Sequence, residues 1–497
     1  MKELRRLAIL VAEHSGKVSP LMNQQDAVSL ETRLFNLVVQ GKAERDEDAA
    51  KALYGKPDIT TSFRMLKSRV RRKLLNHLHF LEFPKDKFRP YGIKDYECSA
   101  LLLEAQCLMA TSEFKIADKL LNQALDLAIE HELVGNIVKA LEQKQVVHVS
   151  LSNRKAYQET EIALQKYYAL EAKERTASSL FQVANITMSS SVHGRKEYMS
   201  ELPGVLAKLH LLWEETKSSN IFNYYHILSI FYLELQGDYY GISDAVEKAE
   251  SLLKQGEVHP SWFSDKYNSF IRVYALLQTR QYDLGLALAE KHIQSFDPYS
   301  INWFSFMENY LLLAIHSKEY ALAGELMQKS FKNQFILKIN DNAKERWELY
   351  RKYMILVKSS LSSSYKLVLP THNLVELVKL PKDKVGFNLS LLVLYVIESF
   401  TKRGDDYLPQ AERIQKYITK YLRGEKAERS RLFLRLLLLA IKEELHPVRA
   451  REKGQRIYES MSQTTPPGDA FAEVEIVPYE HLWELVLQLL EQRAKAG

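Results

Sequence analysis

A chain of 497 residues with a formal net charge of only +6 has no global field that by itself implies nucleic-acid or anionic-membrane binding. At 46% hydrophobic and 26% charged it has the balance of a folded protein rather than a disordered or membrane chain, and 18 glycines and 14 prolines are too few for the frequent tight turns of an all-β fold. Two cysteines, Cys98 and Cys107, cannot build a disulfide framework and fit a reducing cytoplasm.

The N-terminus is basic at Met1–Arg6 and apolar from Leu7 to Ala12. That run is too short for a signal peptide and ends at Glu13 and His14 without a small-residue cleavage pattern. The nearest approach to a membrane span, Leu432 to Ile441, is interrupted by Arg435. The expectation is an unprocessed, soluble, cytoplasmic chain with no membrane partner.

Residues Asp46 to Tyr54 read as a short helix, Gly55-Lys56-Pro57-Asp58 as a turn, and Thr60 to Leu81 as a long helix within an N-terminal helical region, 1–94. Phe63, Leu66, Val70, Leu74, Leu78 and Leu81 form its apolar stripe, and the basic residues Arg64, Lys67, Arg69, Arg71 and Arg72 stand off it. Helix, turn and basic helix together resemble the helix-turn-helix portion of bacterial regulators. That resemblance implies phosphate and base-edge contact by Arg64, Lys67, Arg69, Arg71 and Arg72. The other reading of those five residues is a solvated helix face, or one that clasps an acidic neighbour. His77 and His79, two residues apart on this helix, point in different directions and would not share a metal.

From residue 95 a pattern recurs. A short polar turn is followed by an aromatic residue, as in Ser112-Glu113-Phe114, Lys155-Ala156-Tyr157, Lys196-Glu197-Tyr198, Gly237-Asp238-Tyr239, Arg280-Gln281-Tyr282 and Lys318-Glu319-Tyr320. The aromatics at 114, 157, 198, 239, 282 and 320 are 43, 41, 41, 43 and 38 residues apart. Small or apolar residues follow at offsets of three, seven and ten, as Ala117, Leu121 and Ala124 after Phe114, and Ala323, Met327 and Ser330 after Tyr320. Those offsets share one helical face, so each segment reads as the second helix of a pair. Upstream stripes such as Leu228, Phe231, Tyr232 and Leu235 supply the first.

Phe114 with Ala117 and Ala124, Tyr282 with Gly285, and Tyr320 with Ala323 resemble the tetratricopeptide family, in which an aromatic and then a small residue open the second of two antiparallel helices. The resemblance covers residues 95–335. It implies an all-α fold, an α-solenoid of antiparallel helix pairs, here with a period of about 41 residues against the family's usual figure of about 34. The longer period implies longer helices or loops.

Residues 336–458 read as a divergent continuation of the array, with a pair formed by Val393–Arg403 and a helix containing Ala411 and Ile414, then a strong helix from Arg429 to Glu444. The basic residues Arg429, Arg431, Arg435, Arg449, Arg451 and Lys453 alternate with Glu443, Glu444 and Glu452 and read as a solvated face. A linker is expected at 459–477, centred on Thr464-Thr465-Pro466-Pro467-Gly468, and a capping helix at 478–497.

No phosphate-binding glycine loop, nucleophile elbow or zinc-protease helix occurs, so no catalytic residue, metal site or cofactor is expected. Stacked helix pairs offer an inner face to an extended peptide or a partner protein. Tyr224, Tyr225, Tyr267, Trp303 and Asn309 are the expected contacts on that face. The function expected from the sequence is a non-enzymatic protein-interaction scaffold. The alternative is a nucleic-acid-binding regulator that uses the repeats as a sensor or dimerisation module.

Overall fold

The computed structural model describes residues 7, 21, 23, 28–78, 90–189, 198–361, 367–375, 385–401, 407–422, 427–464 and 475–495. Among the described residues all regular structure is helical, with twenty α-helices. The chain divides into two compact units, one of residues 1–88 and 100–122, the other of residues 89–99 and 123–497.

The first unit contains α1 (Leu30–Val39), α2 (Asp46–Tyr54) and α3 (Thr61–His77). Ser29 caps α1 by accepting from the Thr32 N–H, and Thr60 caps α3 by accepting from the Phe63 N–H. Gly55 ends α2 in the left-handed region, at φ 78°, where glycine carries no Cβ penalty. Helix α1 packs against both α2 and α3. Leu34, Ala49, Ala50, Leu53, Phe63, Leu66 and Val70 form the buried centre.

The remaining helices run α4 (Pro90–Ala110), α5 (Phe114–Glu130), α6 (Val134–Ser150), α7 (Arg154–Ser189), α8 (Leu202–Thr216), α9 (Ser219–Gln236), α10 (Tyr239–Gln255), α11 (Asp265–Gln278), α12 (Tyr282–His292), α13 (Ile301–His316), α14 (Tyr320–Lys332), α15 (Asp341–Ser360), α16 (Val385–Phe400), α17 (Leu408–Tyr421), α18 (Glu428–Lys442), α19 (Pro447–Gln463) and α20 (Tyr479–Lys495). Within the second unit the closest neighbours are sequential: α6 with α7, α8 with α9, α9 with α10, α11 with α12, α13 with α14 and α18 with α19. Successive pairs also touch, α10 on α11 and α12 on α13.

The polar turns have one physical cause. Ser112, Arg280 and Lys318 adopt left-handed φ values of 62°, 59° and 63°, and Gly237 one of 76°. The next residue turns its N–H back onto the preceding helix: Glu113 to the Leu108 carbonyl at 2.8 Å, Asp238 to Leu233 at 2.9 Å and Gln281 to Leu276 at 2.9 Å. This closure satisfies carbonyls left over at the helix end and reverses the chain. The aromatic one position later opens the next helix, as Phe114, Tyr239, Tyr282 and Tyr320 do. Two of them then dock on the following pair. The Tyr239 ring meets Tyr274 of α11 edge-on at 5.6 Å, and the Tyr282 ring meets His316 of α13 at 5.8 Å. Ala117, Leu121, Ala124, Ala323, Met327 and Ser330 are fully buried.

Two aromatics do not follow this scheme. The left-handed residue before α7 is Ser152, and Asn153 caps that helix by accepting from the Ala156 N–H, so Tyr157 lies inside the first turn rather than opening it. Lys196 and Glu197 lie outside the described residues, and Tyr198 precedes α8, which begins at Leu202. Helix α7 is 36 residues long and packs against α6, α8 and α9.

Helix α19 continues through Gln463, into the stretch read as a linker; residues 465–474 lie outside the described residues. Helix α20 packs against α15, α16, α18 and α19. It buries Leu482, Trp483, Leu485, Val486, Leu487, Leu489 and Leu490, so its apolar surface extends well beyond the one stripe that a terminal cap requires.

Candidate functional site

The cleft with the most defined chemistry lies between two first helices, α9 and α11. Its wall on α9 consists of Phe222, Asn223, His226 and Ile227, and on α11 of Tyr267 and Asn268; Trp262, Phe263 and Ser264 of the connector close it.

Each wall is fixed by capping. Ser218 accepts from the Ile221 N–H at the start of α9 and donates its own hydroxyl to Glu174 of α7 at 2.5 Å. Asn220 donates to the other Glu174 oxygen at 3.1 Å, and Glu132 accepts from the Ser219 N–H at 3.2 Å. Burial pushes the Glu174 carboxyl above its ordinary range, against the opposing pull of the bonds from Ser218 and Asn220. Across the cleft Ser264 caps α11 by accepting from the Tyr267 N–H. Trp262 is held on two sides, since its indole N–H donates to the His131 carbonyl at 3.1 Å and its ring stacks on Tyr91 at 4.4 Å.

The inner hydrogen bond of the cleft fixes a tautomer. Asn268 donates its amide N–H to the Ser264 carbonyl at 3.0 Å, which leaves its oxygen to face His226 Nε2 at 2.7 Å. Nε2 must therefore carry the proton and Nδ1 remain an acceptor. Burial lowers the His226 pKa, so the ring is neutral. The half-buried Asn223 amide makes no hydrogen bond among the described residues. The cleft thus combines aromatic walls with an unengaged donor and acceptor.

Of the five expected contacts, Tyr267 alone lines this cleft. Tyr224 stacks on Phe181 of α7 at 4.7 Å, and Tyr225 lies between Trp213 and His210 of α8, at 6.4 and 5.2 Å, so both join helices. Trp303 and Asn309 are 2% and 9% exposed, because α13 is enclosed on nearly all sides, with its Phe304, Phe306, Met307 and Tyr310–Ile315 buried as well. Asn223, His226 and Trp262 were not singled out from sequence. The available signal was Pro260 and Trp262 in a connector between two capped helices.

On α3 the five basic residues Arg64, Lys67, Arg69, Arg71 and Arg72 are all exposed. Lys67 pairs with Asp46 of α2 at 2.6 Å and Arg69 with Glu31 of α1 at 3.4 Å; Lys73 also reaches Glu31, at 2.7 Å. Arg64, Arg71 and Arg72 have no acidic partner among the described residues. His79 lies outside the described residues.

In the second basic group Arg435, Arg449, Arg451 and Lys453 are exposed, and Arg429 departs from the reading as a solvated face. Arg429 is 1% exposed and uses all five guanidinium protons. They go to Glu475 through Nε and Nη2, to Glu480 through Nη2, and to the Met461 and Thr464 carbonyls through Nη1. Arg449, Arg451 and Lys453 are exposed and pair with Glu444, Glu491 and Glu443.

Among the described residues no helix is long and apolar enough to cross a membrane, and no group of three or more histidine, cysteine, aspartate or glutamate side chains could hold a metal ion. No family model, curated protein or solved structure matches this chain.

Proposed function

We propose that this protein is a non-catalytic interaction scaffold whose helix pairs form a tetratricopeptide-like array with a period near 41 residues, and that it holds a protein partner at the cleft between α9 and α11. The observation that carries the reading is the mouth of the cleft, where the half-buried Trp262 and Tyr267 flank the unengaged amide of Asn223 over a buried floor that includes Phe222, on helices pinned by side-chain caps. Aromatic side chains contribute large contact areas at low entropic cost, and a free amide pairs with the backbone of an extended segment.

The turn closures and buried small residues support the repeat reading, since each aromatic opening a second helix follows a left-handed residue. A cytoplasmic setting suits the thiols. Cys107 is exposed and unpaired, and Cys98 is buried, with its pKa pushed up to about 11 by burial.

The full-length chain used as bait in native lysate tests the reading. A protein partner should be retained at moderate salt and after nuclease treatment, and should be lost from the Asn223→Ala and Tyr267→Ala variants. Recovery of nuclease-sensitive nucleic acid with no protein would overturn it.

A further inference from the structure

The arginines of α3 are sorted by their surroundings. At about 100° per residue around a helix, Phe63, Leu66, Val70 and Lys73 share the side packed on α1 and α2, where all four are buried. Lys67 and Arg69 flank that side and are tied to Asp46 and Glu31. Arg64, Arg71 and Arg72 fall within roughly 100° of one another on the opposite side, together with Ser68, Met65 and Leu75. All six are exposed, the last two 59% and 46% accessible. Helix α3 contains no aspartate or glutamate from Thr61 to His77, so nothing on the helix itself offsets these charges.

We propose that this outward face of α3 binds double-stranded DNA, with the helix lying in the major groove. The basis is the local charge, which the small net charge of the whole chain conceals, together with the support of α3 by two shorter helices. An α-helix with its side chains is about 10–12 Å across, and the B-form major groove is about 12 Å wide. The A-form major groove of RNA is too narrow to admit it. Arg64 and Arg71 lie two turns apart on one line, about 10 Å along the axis, so they can reach separate phosphates or guanine edges. Ser68 lies between them, and Met65 and Leu75 supply apolar contact of the kind thymine methyl groups accept. The ion pairs of Lys67 and Arg69 hold α3 to α2 and α1 without consuming the outward charges. This surface is separate from the cleft between α9 and α11, and the proposal stands or falls independently of the scaffold reading.

Fluorescence anisotropy of the full-length chain with a labelled 30-base-pair duplex of mixed sequence, between 50 and 200 mM salt, tests it. Binding should weaken linearly on a log–log plot. In the combined variant Arg64→Gln, Arg71→Gln, Arg72→Gln the slope should fall by about 2 to 3, at about 0.9 per lost phosphate contact, and affinity at the low-salt end should drop at least tenfold. The three arginines are exposed and have no acidic partner among the described residues, so far-UV circular dichroism should be unchanged. The matching triple lysine variant should keep most of the slope, and Arg456→Gln, an exposed arginine on α19, should leave binding intact. The proposal is overturned by no binding at 50 mM salt, by equal binding of the triple glutamine variant, or by tighter binding to duplex RNA or to vesicles rich in anionic lipid than to DNA.

Discussion

Arg429 and Glu475, 46 residues apart in the chain, meet as a two-bond fork in the protein interior, the guanidinium Nη2 donating to the carboxylate at 3.0 Å while Nε donates to its other oxygen. The same guanidinium holds Glu480 and two carbonyls, and it lies 5.7 Å from the Tyr479 ring, which stacks on Phe433. The segment leading into α20 is thereby tied to α18 and α19. Replacing Arg429 with methionine strands the Glu475 carboxylate in low dielectric and leaves Glu480 with Arg280 at 3.5 Å, a loss of about 3–5 kcal/mol for a broken buried pair. Urea denaturation should show that decrease, and Arg429→Met combined with Glu475→Gln and Glu480→Gln should recover part of it.

Acid should weaken this same region. His316 donates from Nε2 to the Glu475 carbonyl at 2.7 Å, and desolvation pushes the pKa values of both His316 and His481 down to about 4 from 6.5. The unfolded chain takes up protons at these positions as pH falls below 6.5, and the native state does not until about 4, so stability is full above 6.5 and declines across that window. His131, His226 and His292 are shifted in the same direction and add to the slope. The urea midpoint should fall between pH 7 and pH 4.5, and His316→Gln should make the fall shallower.

Gly285 of α12 separates two opposing effects. Alanine in a helix interior is favoured over glycine by about 1 kcal/mol. A Cβ here, however, would sit 2.6 Å from Leu313 Cδ2 and 3.0 Å from its Cδ1, and Leu313 is fully buried on α13. Overpacking of this kind costs about 1–3 kcal/mol. Gly285→Ala should therefore destabilise in thermal melts, and adding Leu313→Val should offset the loss.

At the turns the sign reverses. Ser152 holds φ 55° with its carbonyl-closing neighbours in place, and a non-glycine residue in that region carries a strain that glycine does not. Ser152→Gly should raise stability by about 0.5–1 kcal/mol, read as a higher urea midpoint with an unchanged slope.

The helical class was legible because the turn chemistry is local. Phe114, Tyr239, Tyr282 and Tyr320 open helices as the spacing predicts, each after a left-handed residue, and the small residues behind Phe114 and Tyr320 are buried. The register at Tyr157 was misplaced because the deciding signal was Asn153, a helix cap three residues before Ala156, rather than the aromatic.

Other features depend on distant partners. Arg429 carries the pattern of an amphipathic surface helix, and only Glu475 and Glu480, two helices further on, take it inside. Trp303 and Asn309 were placed on an open face by analogy with neighbouring first helices. Yet the apolar run Tyr310–Ile315 makes α13 a helix buried on nearly all sides, and that run was available to be read. At the cleft Tyr267 was legible as an aromatic on a first helix. Asn223 and Trp262 were not, because the cleft depends on how α9 and α11 meet around the Pro260–Trp262 turn.

The most direct test of the scaffold account places a photo-crosslinking amino acid at position 227, on the same cleft wall as Asn223, in the full-length chain and irradiates it in native extract. The account predicts a discrete protein adduct that survives nuclease and disappears when Tyr267→Ala is added. An adduct yield no greater than from the exposed position 257 would contradict it.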